Sequence, residues 1–364
     1  MRRRPKEALT IARERHARFR KSLVLPPAPP YNDRGTKCNI CVNECTIDYD
    51  GKGYCGVWVN RGGKLTPVAG RDKIVGFAYL DPHPTNCVAT PVCPGASSEG
   101  YPKYTKTLGP EYGYYNLAVF LGGCSLSCLF CQNWEHKLLV SPRYRSQVRT
   151  LTLNELVEKA LNPKITCVCY FGGDPTPHAP LLLIVTRRML RERRKCCPDT
   201  PFRVCWETNG LANPQLMKAM ATLSLATGGI VKIDWKAWTP SIYEALTGIS
   251  GEKAIERLKT NTRIVAELAT KRSSPPLLVV SILLVPGYVD AYEVRMISRY
   301  ISGLMREYGI DIPLVLLGFH PEHLMSDLPT TSKKHAKEAL QAAYEEGIKR
   351  VFIGNEWLLS SIEY

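Results

Sequence analysis

The sequence predicts an α/β fold built on a parallel sheet. From Tyr115 onward, short apolar segments alternate with longer amphipathic ones, the pattern of buried strands followed by surface helices. Strands joined by helical crossovers pair in parallel through right-handed connections. Strands are predicted near residues 115–121, 165–171, 201–206, 229–234, 277–284 and 313–319, with a last one at 351–354. Helices are predicted near residues 152–161, 178–195, 213–223, 240–269 (broken at 248–251), 289–308 and 332–348.

Length and composition fit one large core domain with a smaller module. The chain has 364 residues, of which 45% are hydrophobic, and this content supports a large core. No apolar run approaches the roughly 18 residues of a membrane span, and no signal peptide is recognised, so we expect a cytoplasmic protein without membrane contact. Three parts are predicted: a basic arm with a Pro-rich linker (1–30), a Cys-rich N-terminal module (31–114) and the core (115–364).

The N-terminal arm is strongly basic. Its first 22 residues carry nine Lys or Arg and two Glu, hence +7 of the chain's net charge of +15. Arg2 to Lys21 is predicted to be a helix, and residues 22–36 an extended linker. Such an arm binds nucleic acid or an acidic partner, or it is a solvated and partly disordered terminus. We favour the solvated terminus, because no aromatic interleaving supports base stacking.

Three cysteines follow the first predicted core strand. Cys124, Cys128 and Cys131 have the spacing C-x3-C-x2-C, in a loop that Gly122-Gly123 opens at the carboxyl end of the strand. In barrels and open α/β sheets this end of a strand carries the chemistry. Structural zinc and [4Fe–4S] clusters usually take four protein ligands. Three cysteines therefore leave one position open, and an open iron can bind a substrate.

A second cysteine group lies in the N-terminal module. Cys38, Cys41, Cys45 and Cys55 fall within 18 residues, with glycines around the fourth, as a metal knuckle requires. The chain has 14 cysteines, which in a cytosolic protein argues for ligation rather than disulfides. The spacing leaves zinc and a second Fe–S cluster both open, and reduced buried thiols are the plain alternative. Further along the chain, the isolated Cys87 and Cys93 are expected to be free thiols.

The second predicted strand ends in a glycine pair and an acid. Gly172 and Gly173 let the backbone approach a ligand closely, Asp174 offers a carboxylate, and Pro175 stiffens the turn. The alternative is an ordinary turn between strand and helix.

Charged residues end the later strands. Glu207 follows the third strand, Asp234 and Lys236 follow the fourth, and His320 follows the sixth. Because the carboxyl ends of parallel strands share one edge of the sheet, these groups are candidates for the same site. The alternatives are a structural ion pair between Asp234 and Lys236 and a solvated turn position for His320.

The three-cysteine motif resembles that of the radical S-adenosylmethionine (SAM) superfamily, with an aromatic residue, Phe130, directly before the last cysteine. The turn from Gly172 to Pro175 is similar to the Gly-Gly-Glu-Pro motif of that superfamily. Glu207 to Gly210 and Asp234 to Lys236 resemble the Asp-Thr-Asn-Gly and Asp-Leu-Lys strand ends of the pyruvate formate-lyase activating enzyme branch. The resemblance implies a partial (β/α)6, TIM-like barrel.

The resemblance also implies roles for individual residues. Cys124, Cys128 and Cys131 would hold a [4Fe–4S] cluster whose open iron binds SAM. Backbone groups at Phe130 and Gln132 would meet the adenine. Gly172, Gly173 and Asp174 would contact the amine of SAM. Glu207, Asp234 and Lys236 would line the SAM pocket, and His320 would contact the ribose. Asp174 and Glu207 each depart by one methylene from the family pattern.

The N-terminal module is similar to that of activase-like proteins of the Memo-associated AmmeMemoRadiSam system. The similarity rests on Cys38 to Cys45, on Gly53 to Val57 and on Cys131-Gln132-Asn133-Trp134. It implies a radical SAM oxidoreductase that cleaves SAM to a 5′-deoxyadenosyl radical, which abstracts hydrogen from a protein or peptide. A ferredoxin- or flavodoxin-type protein would supply the electron. The alternatives are modification of RNA, which we favour less, and a non-catalytic, metal-stabilised binding protein.

Overall fold

Two small hairpins precede the main sheet. The computed structural model describes residues 5–364 and begins with helix α1 (Pro5–Ser22). Two antiparallel pairs follow, β1 (Thr36–Lys37) with β2 (Thr46–Ile47) and β3 (Trp58–Arg61) with β4 (Lys64–Pro67). The first pair closes the loop that carries Cys38, Cys41 and Cys45, because the amide of Cys38 donates to the carbonyl of Cys45 at 2.7 Å.

A nine-stranded sheet curves into an open, partial barrel. In chain order its strands are β5 (Lys73–Pro82), β6 (Tyr115–Leu121), β7 (Thr150–Thr152), β8 (Ile165–Gly172), β9 (Arg203–Thr208), β10 (Val231–Asp234), β11 (Leu278–Leu284), β12 (Leu314–Gly318) and β13 (Val351–Gly354). In space the order is β13-β12-β11-β10-β9-β8-β6-β5-β7. The run from β6 to β13 is parallel, whereas β5 pairs antiparallel with both β6 and β7. The predicted parallel α/β fold is confirmed, with an antiparallel extension at one edge.

Helices cover the outer face of the sheet. They are α2 (Leu153–Ala160), α3 (Ala179–Cys196), α4 (Pro214–Thr227), α5 (Pro240–Thr247), α6 (Gly251–Ala269), α7 (Ala291–Tyr308) and α8 (Lys333–Glu345). The predicted break between residues 248 and 251 is confirmed: Gly248 ends α5 with φ 77° and the hydroxyl of Ser250 caps α6. Among the described helices, none combines the length and the hydropathy that crossing a membrane would need.

The basic arm is helical where it is described, but it is not a freely solvated terminus. His16 and Arg20 are each 2% exposed. The His16 imidazole lies 2.9 Å from the carbonyl of Ala245 on α5, and Arg13 pairs with Glu244 on the same helix. The expected solvated arm is therefore wrong for residues 5–22, because one face of α1 is buried against the barrel. Residues 1–4, with Arg2 to Arg4 of the predicted helix, lie outside the described residues.

The segment between β5 and β6 fills the inside of the barrel. Ala89 and Val92 pack against Val279 and Val315, which lie on the inner faces of β11 and β12. The sequence led us to expect that the main sheet begins at Tyr115. The structure shows that it begins earlier in the chain, with β5. Its edge strand β5 and its interior filling both come from residues assigned to the N-terminal module, because an open barrel needs apolar surface to cover its inner face.

Candidate active site

A half-open cavity lies at the carboxyl ends of the parallel strands. Its wall combines the cysteine loop after β6 with the ends of β8, β9 and β10. Most of the predicted site residues line it: Cys124, Cys128, Phe130, Cys131, Gln132, Gly172, Gly173, Asp174, Glu207, Asp234 and Lys236. The topology brings them together, although they are spread over more than 110 residues of sequence.

Backbone hydrogen bonds hold the cysteine loop in place. The amides of Ser127 and Leu129 donate to carbonyls at the end of α5, at 2.9 and 3.0 Å. The side-chain amide of Asn209, at the end of β9, donates to the hydroxyl of Ser125 at 2.9 Å and lies 3.5 Å from the Cys124 sulfur. The loop is thus fixed from two neighbouring elements, as a preorganised ligand loop requires.

Cys124 and Cys128 are buried, and Cys131 is half-buried. Burial raises the pKa of Cys124 well above its usual value and raises that of Cys128 to about 11. Buried thiols release their protons when a metal cation binds, because ligation requires the thiolate. Within residues 5–364, no three His, Cys, Asp or Glu side chains stand in an arrangement that could hold a metal ion. The three thiols on one cavity wall nevertheless match the donor set of an open-site [4Fe–4S] cluster.

The carboxylate of Asp174 is hydrogen-bonded to neighbouring residues of the protein. Its carboxylate accepts hydrogen bonds from the amide of Thr176 at 2.7 Å, the amide of Asn209 at 2.6 Å and the hydroxyl of Thr208 at 3.2 and 3.3 Å. The residue is 1% exposed, and burial raises its pKa. Asp174 therefore links the turn after β8 to the end of β9.

A chain of alternating charges crosses the cavity floor. Lys232 lies 3.2 Å from Glu207 and 2.9 Å from Asp234, and Lys236 lies 3.2 Å from the other oxygen of Asp234. Burial alone would raise the pKa of Asp234, but the two ammonium groups hold it below its usual value. Burial alone would lower the pKa of Lys232, but Asp234 and Glu207 raise it. Asp234 and Lys236 thus line the cavity and also form the ion pair that was the alternative interpretation.

One predicted residue is absent from the cavity wall, and others were missed. His320 lies outside the lining, and its Nδ1 is 3.2 Å from the Pro321 carbonyl. The lining residues that sequence reasoning did not single out are Val88, Leu126, Asn133, His136, Phe171, Asn209, Lys232, Leu283 and Leu317. A signal existed for Lys232, which precedes Asp234 by two residues on the same strand face.

The N-terminal cysteine module braces the cysteine loop. Cys38, Cys41 and Cys45 are buried and Cys55 is half-buried. The amide of Val42 donates to the carbonyl of Leu211 at 3.0 Å, and the side chain of Asn43 donates to the carbonyl of Ser125 at 2.7 Å. The four thiols raise one another's pKa, but burial is the larger cause. A metal at this module stays a prediction.

Several known proteins are similar to this chain in sequence. An uncharacterized protein of Methanocaldococcus jannaschii is 27% identical over 324 residues, which are 89% of this chain and 82% of that protein. A Haemophilus influenzae protein whose name assigns it provisionally to the glycyl-radical enzyme activating enzymes is 32% identical over 85 residues, which are 23% of this chain and 31% of its own length. The 7-carboxy-7-deazaguanine synthase of Hyperthermus butylicus is 26% identical over 232 residues, which are 61% of this chain and 88% of that enzyme.

Solved structures include similar chains as well. A domain of pyruvate-formate lyase-activating enzyme from Bacteroides vulgatus has a TM-score of 0.38 and 17% identity, with 52% of this chain and 98% of that domain covered. Streptococcus suis SuiB bound to S-adenosylmethionine has a TM-score of 0.41 and 11% identity, with 63% and 47% covered. The model of the Radical SAM superfamily matches residues 118–299, half of the sequence. This chain belongs to the radical SAM superfamily.

Proposed function

We propose that this protein cleaves SAM reductively and directs the resulting radical to a protein or peptide substrate, as activating enzymes do. The observation that carries the proposal is the cavity in which three cysteines face the charged ends of β9 and β10. With a [4Fe–4S] cluster and SAM bound there, reduction by one electron would cleave SAM to methionine and a 5′-deoxyadenosyl radical that abstracts hydrogen from the substrate.

The residues of the cavity divide this work. Cys124, Cys128 and Cys131 would hold the cluster, and the turn at Gly172 and Gly173 would present its backbone to the methionine part of SAM. Lys232 and Lys236 neutralise the charges of Glu207 and Asp234. The pocket therefore presents oriented ion pairs to SAM, and no counter-ion has to move when SAM binds. Leu126, Leu283 and Leu317 keep part of the wall apolar, which excludes water from a reactive radical.

A row of aromatic side chains supports a peptide substrate. Phe77, Phe120 and Phe171 are direct cross-strand neighbours on β5, β6 and β8, with ring centroids 5.0 and 5.6 Å apart. All three are half-buried, and Phe171 also lines the cavity. The row thus leads from the edge of the sheet to the cavity. Aromatic rows of this kind bind side chains of extended segments.

The neighbouring sheet edge offers backbone groups to such a segment. β5 pairs with β7 only over Lys73 to Val75, and within residues 5–364 no strand pairs with Phe77 to Pro82 on the side away from β6. An unpaired edge accepts an extended peptide as an additional strand. We favour RNA less, because one face of α1 is buried through His16 and Arg20, although Arg15 and Arg18 stay exposed. The net charge of +15 suits an acidic electron-donor protein.

The test uses extract of the source cells as the substrate pool. Anaerobic, reconstituted protein is given SAM and a reductant, and 5′-deoxyadenosine is measured with untreated, protease-treated and ribonuclease-treated extract. We expect stimulation that protease abolishes and ribonuclease leaves intact. Tyr79 lies two residues after Phe77 on β5, exposed, with its ring centroid 6.3 Å from that of Phe77. The double variant Phe77→Ser/Tyr79→Ser should lose most of that stimulation, whereas the control Tyr112→Ser, an exposed tyrosine away from these rings, should keep it. Stimulation that only ribonuclease abolishes would contradict a protein substrate.

A further inference from the structure

His136 is a buried imidazole at the wall of the cavity. It is 2% exposed, it lies five residues after the last cluster cysteine, and it lines the cavity. Its Nδ1 is buried and makes no hydrogen bond within residues 5–364. A buried polar atom without a partner is unfavourable, and at a cavity wall a bound ligand can supply the missing hydrogen bond.

The imidazole stands between the cysteine loop and the glycine turn. The carbonyl of His136 accepts from the amide of Gly123 at 3.1 Å, which ties the residue to the cysteine loop. A Cβ built on Gly173 would come within 2.9 Å of the His136 ring, so the ring packs directly against that glycine. The two elements that would hold the cluster and the methionine part of SAM therefore meet at this side chain.

The charge state of His136 suits an acceptor. Burial lowers the pKa of His136 well below its usual value, and the nearby ammonium of Lys137 lowers it further. A neutral imidazole carries one protonated nitrogen and one free lone pair. The lone pair can accept a hydrogen bond from an amine, which a protonated imidazole cannot do.

The carboxylate expected to fill this role is already occupied. One oxygen of Asp174 accepts from the amide of Thr176, the other accepts from the amide of Asn209, and the hydroxyl of Thr208 is shared between the two. A carboxylate has about four lone-pair sites, and three donor hydrogens from its own chain already point at this one. An amine at the glycine turn would thus have to compete with these donors for Asp174.

We propose that His136, rather than the side chain of Asp174, accepts a hydrogen bond from the α-amino group of SAM. The inference rests on the proposed function, and it assigns to this chain a binding residue outside the strand-end motifs. His136 would orient the amino group beside the cysteine loop while Asp174 fixes the turn.

The test compares SAM with its analogue that lacks the α-amino group. Binding of each compound to reconstituted protein is measured anaerobically by calorimetry, and iron is counted in every sample. His136→Phe keeps a planar ring without the acceptor, and His136→Gln restores an acceptor oxygen. The matched control is His83→Phe, since His83 is also buried with an unpartnered Nδ1 but does not line the cavity.

We expect His136→Phe to weaken SAM binding roughly five- to tenfold, the loss of one hydrogen bond, and to leave the analogue unaffected. His136→Gln should recover most of the loss, and His83→Phe should retain the preference for SAM. An equal loss for both compounds would reduce His136 to packing and overturn the proposal. So would a preference for the amine that only Asp174→Asn removes. If the unaltered protein with its full iron content binds neither compound, the proposed function itself fails.

Discussion

The pair of Glu111 and Arg203 should be a large contributor to the stability of the barrel. Both side chains are at most 1% exposed, and their two parallel contacts measure 3.0 and 2.6 Å. Arg203 also donates to the carbonyl of Tyr104 at 2.7 Å, and Thr166 donates to Glu111 at 2.6 Å. These bonds fasten the segment that fills the barrel to β8 and β9, so Glu111→Gln should loosen that filling.

The expected size follows from burial. Removing one partner of a buried ion pair costs about 3–5 kcal/mol, because the other charge stays buried without compensation. Unfolding entropy is about 2.1 cal/mol/K per residue, so 4 kcal/mol lowers the Tm of a chain of 364 residues by roughly 5 °C. Glu307→Gln is the matched control, because its partner Arg263 and Glu307 are each 46% exposed and such pairs contribute at most about 1 kcal/mol.

The assay is calorimetric melting of both variants, at pH 7 and at lower pH. Burial alone would raise the pKa of Glu111, but Arg203 and Thr166 lower it from its usual 4.5 to about 2. A folded-state pKa below the usual value stabilises the protein above pH 4.5, and this contribution is lost as pH falls toward 2. Glu111→Gln should lack that part of the acid destabilisation. A Tm within 1 °C of the unaltered protein at pH 7 would refute the reasoning.

Three further predictions concern the cavity and the N-terminal module. Lys232→Met leaves Glu207 without its ammonium partner and Asp234 with Lys236 alone, so we expect a loss of about 3 kcal/mol in unfolding free energy, measured by chemical denaturation. An unchanged value would contradict the charge network. Gly173→Ala places a Cβ 2.1 Å from the carbonyl of Gly123, which directly precedes Cys124, so the clash should displace the cysteine loop. Iron incorporation, measured by colorimetric iron assay, should then fall by more than half. Normal incorporation would show that the loop can shift. Cys55→Ser should remove metal from the N-terminal module and leave the cluster's roughly four irons in place; elemental analysis checks this, and unchanged total metal would argue for plain thiols.

Much of the fold could be predicted from the sequence, because the strands are short apolar runs and the helices are clearly amphipathic. The predicted strands near 165–171 and 277–284 match β8 and β11 within about one residue. In residues 57–114, where Pro and Gly interrupt the apolar pattern, the sequence indicates β structure over Val68 to Ala78, which overlaps β5. It does not predict that β5 joins the main sheet, because the pairing with β6 depends on long-range contacts that periodicity does not encode.

The site was predictable where a local motif carries it. The sequence shows directly the three cysteines within eight residues, the glycine pair and the acids at strand ends. His136 could not be recognised in this way, because its place at the cavity depends on burial and on neighbours distant in sequence. Lys232 could have been recognised, since it lies two residues before Asp234 on the same strand face. His320 shows the opposite error: a residue at the expected strand end whose side chain lies outside the cavity.

The central claim is that SAM binds at an open iron held by Cys124, Cys128 and Cys131. The most direct test is the EPR spectrum of the dithionite-reduced, reconstituted protein with and without SAM, with 5′-deoxyadenosine and methionine quantified in the same samples. We expect SAM to change the cluster signal and to be cleaved to both products in equal amounts, with both effects absent in Cys124→Ala. An EPR signal that SAM leaves unchanged, with no cleavage, would contradict the account.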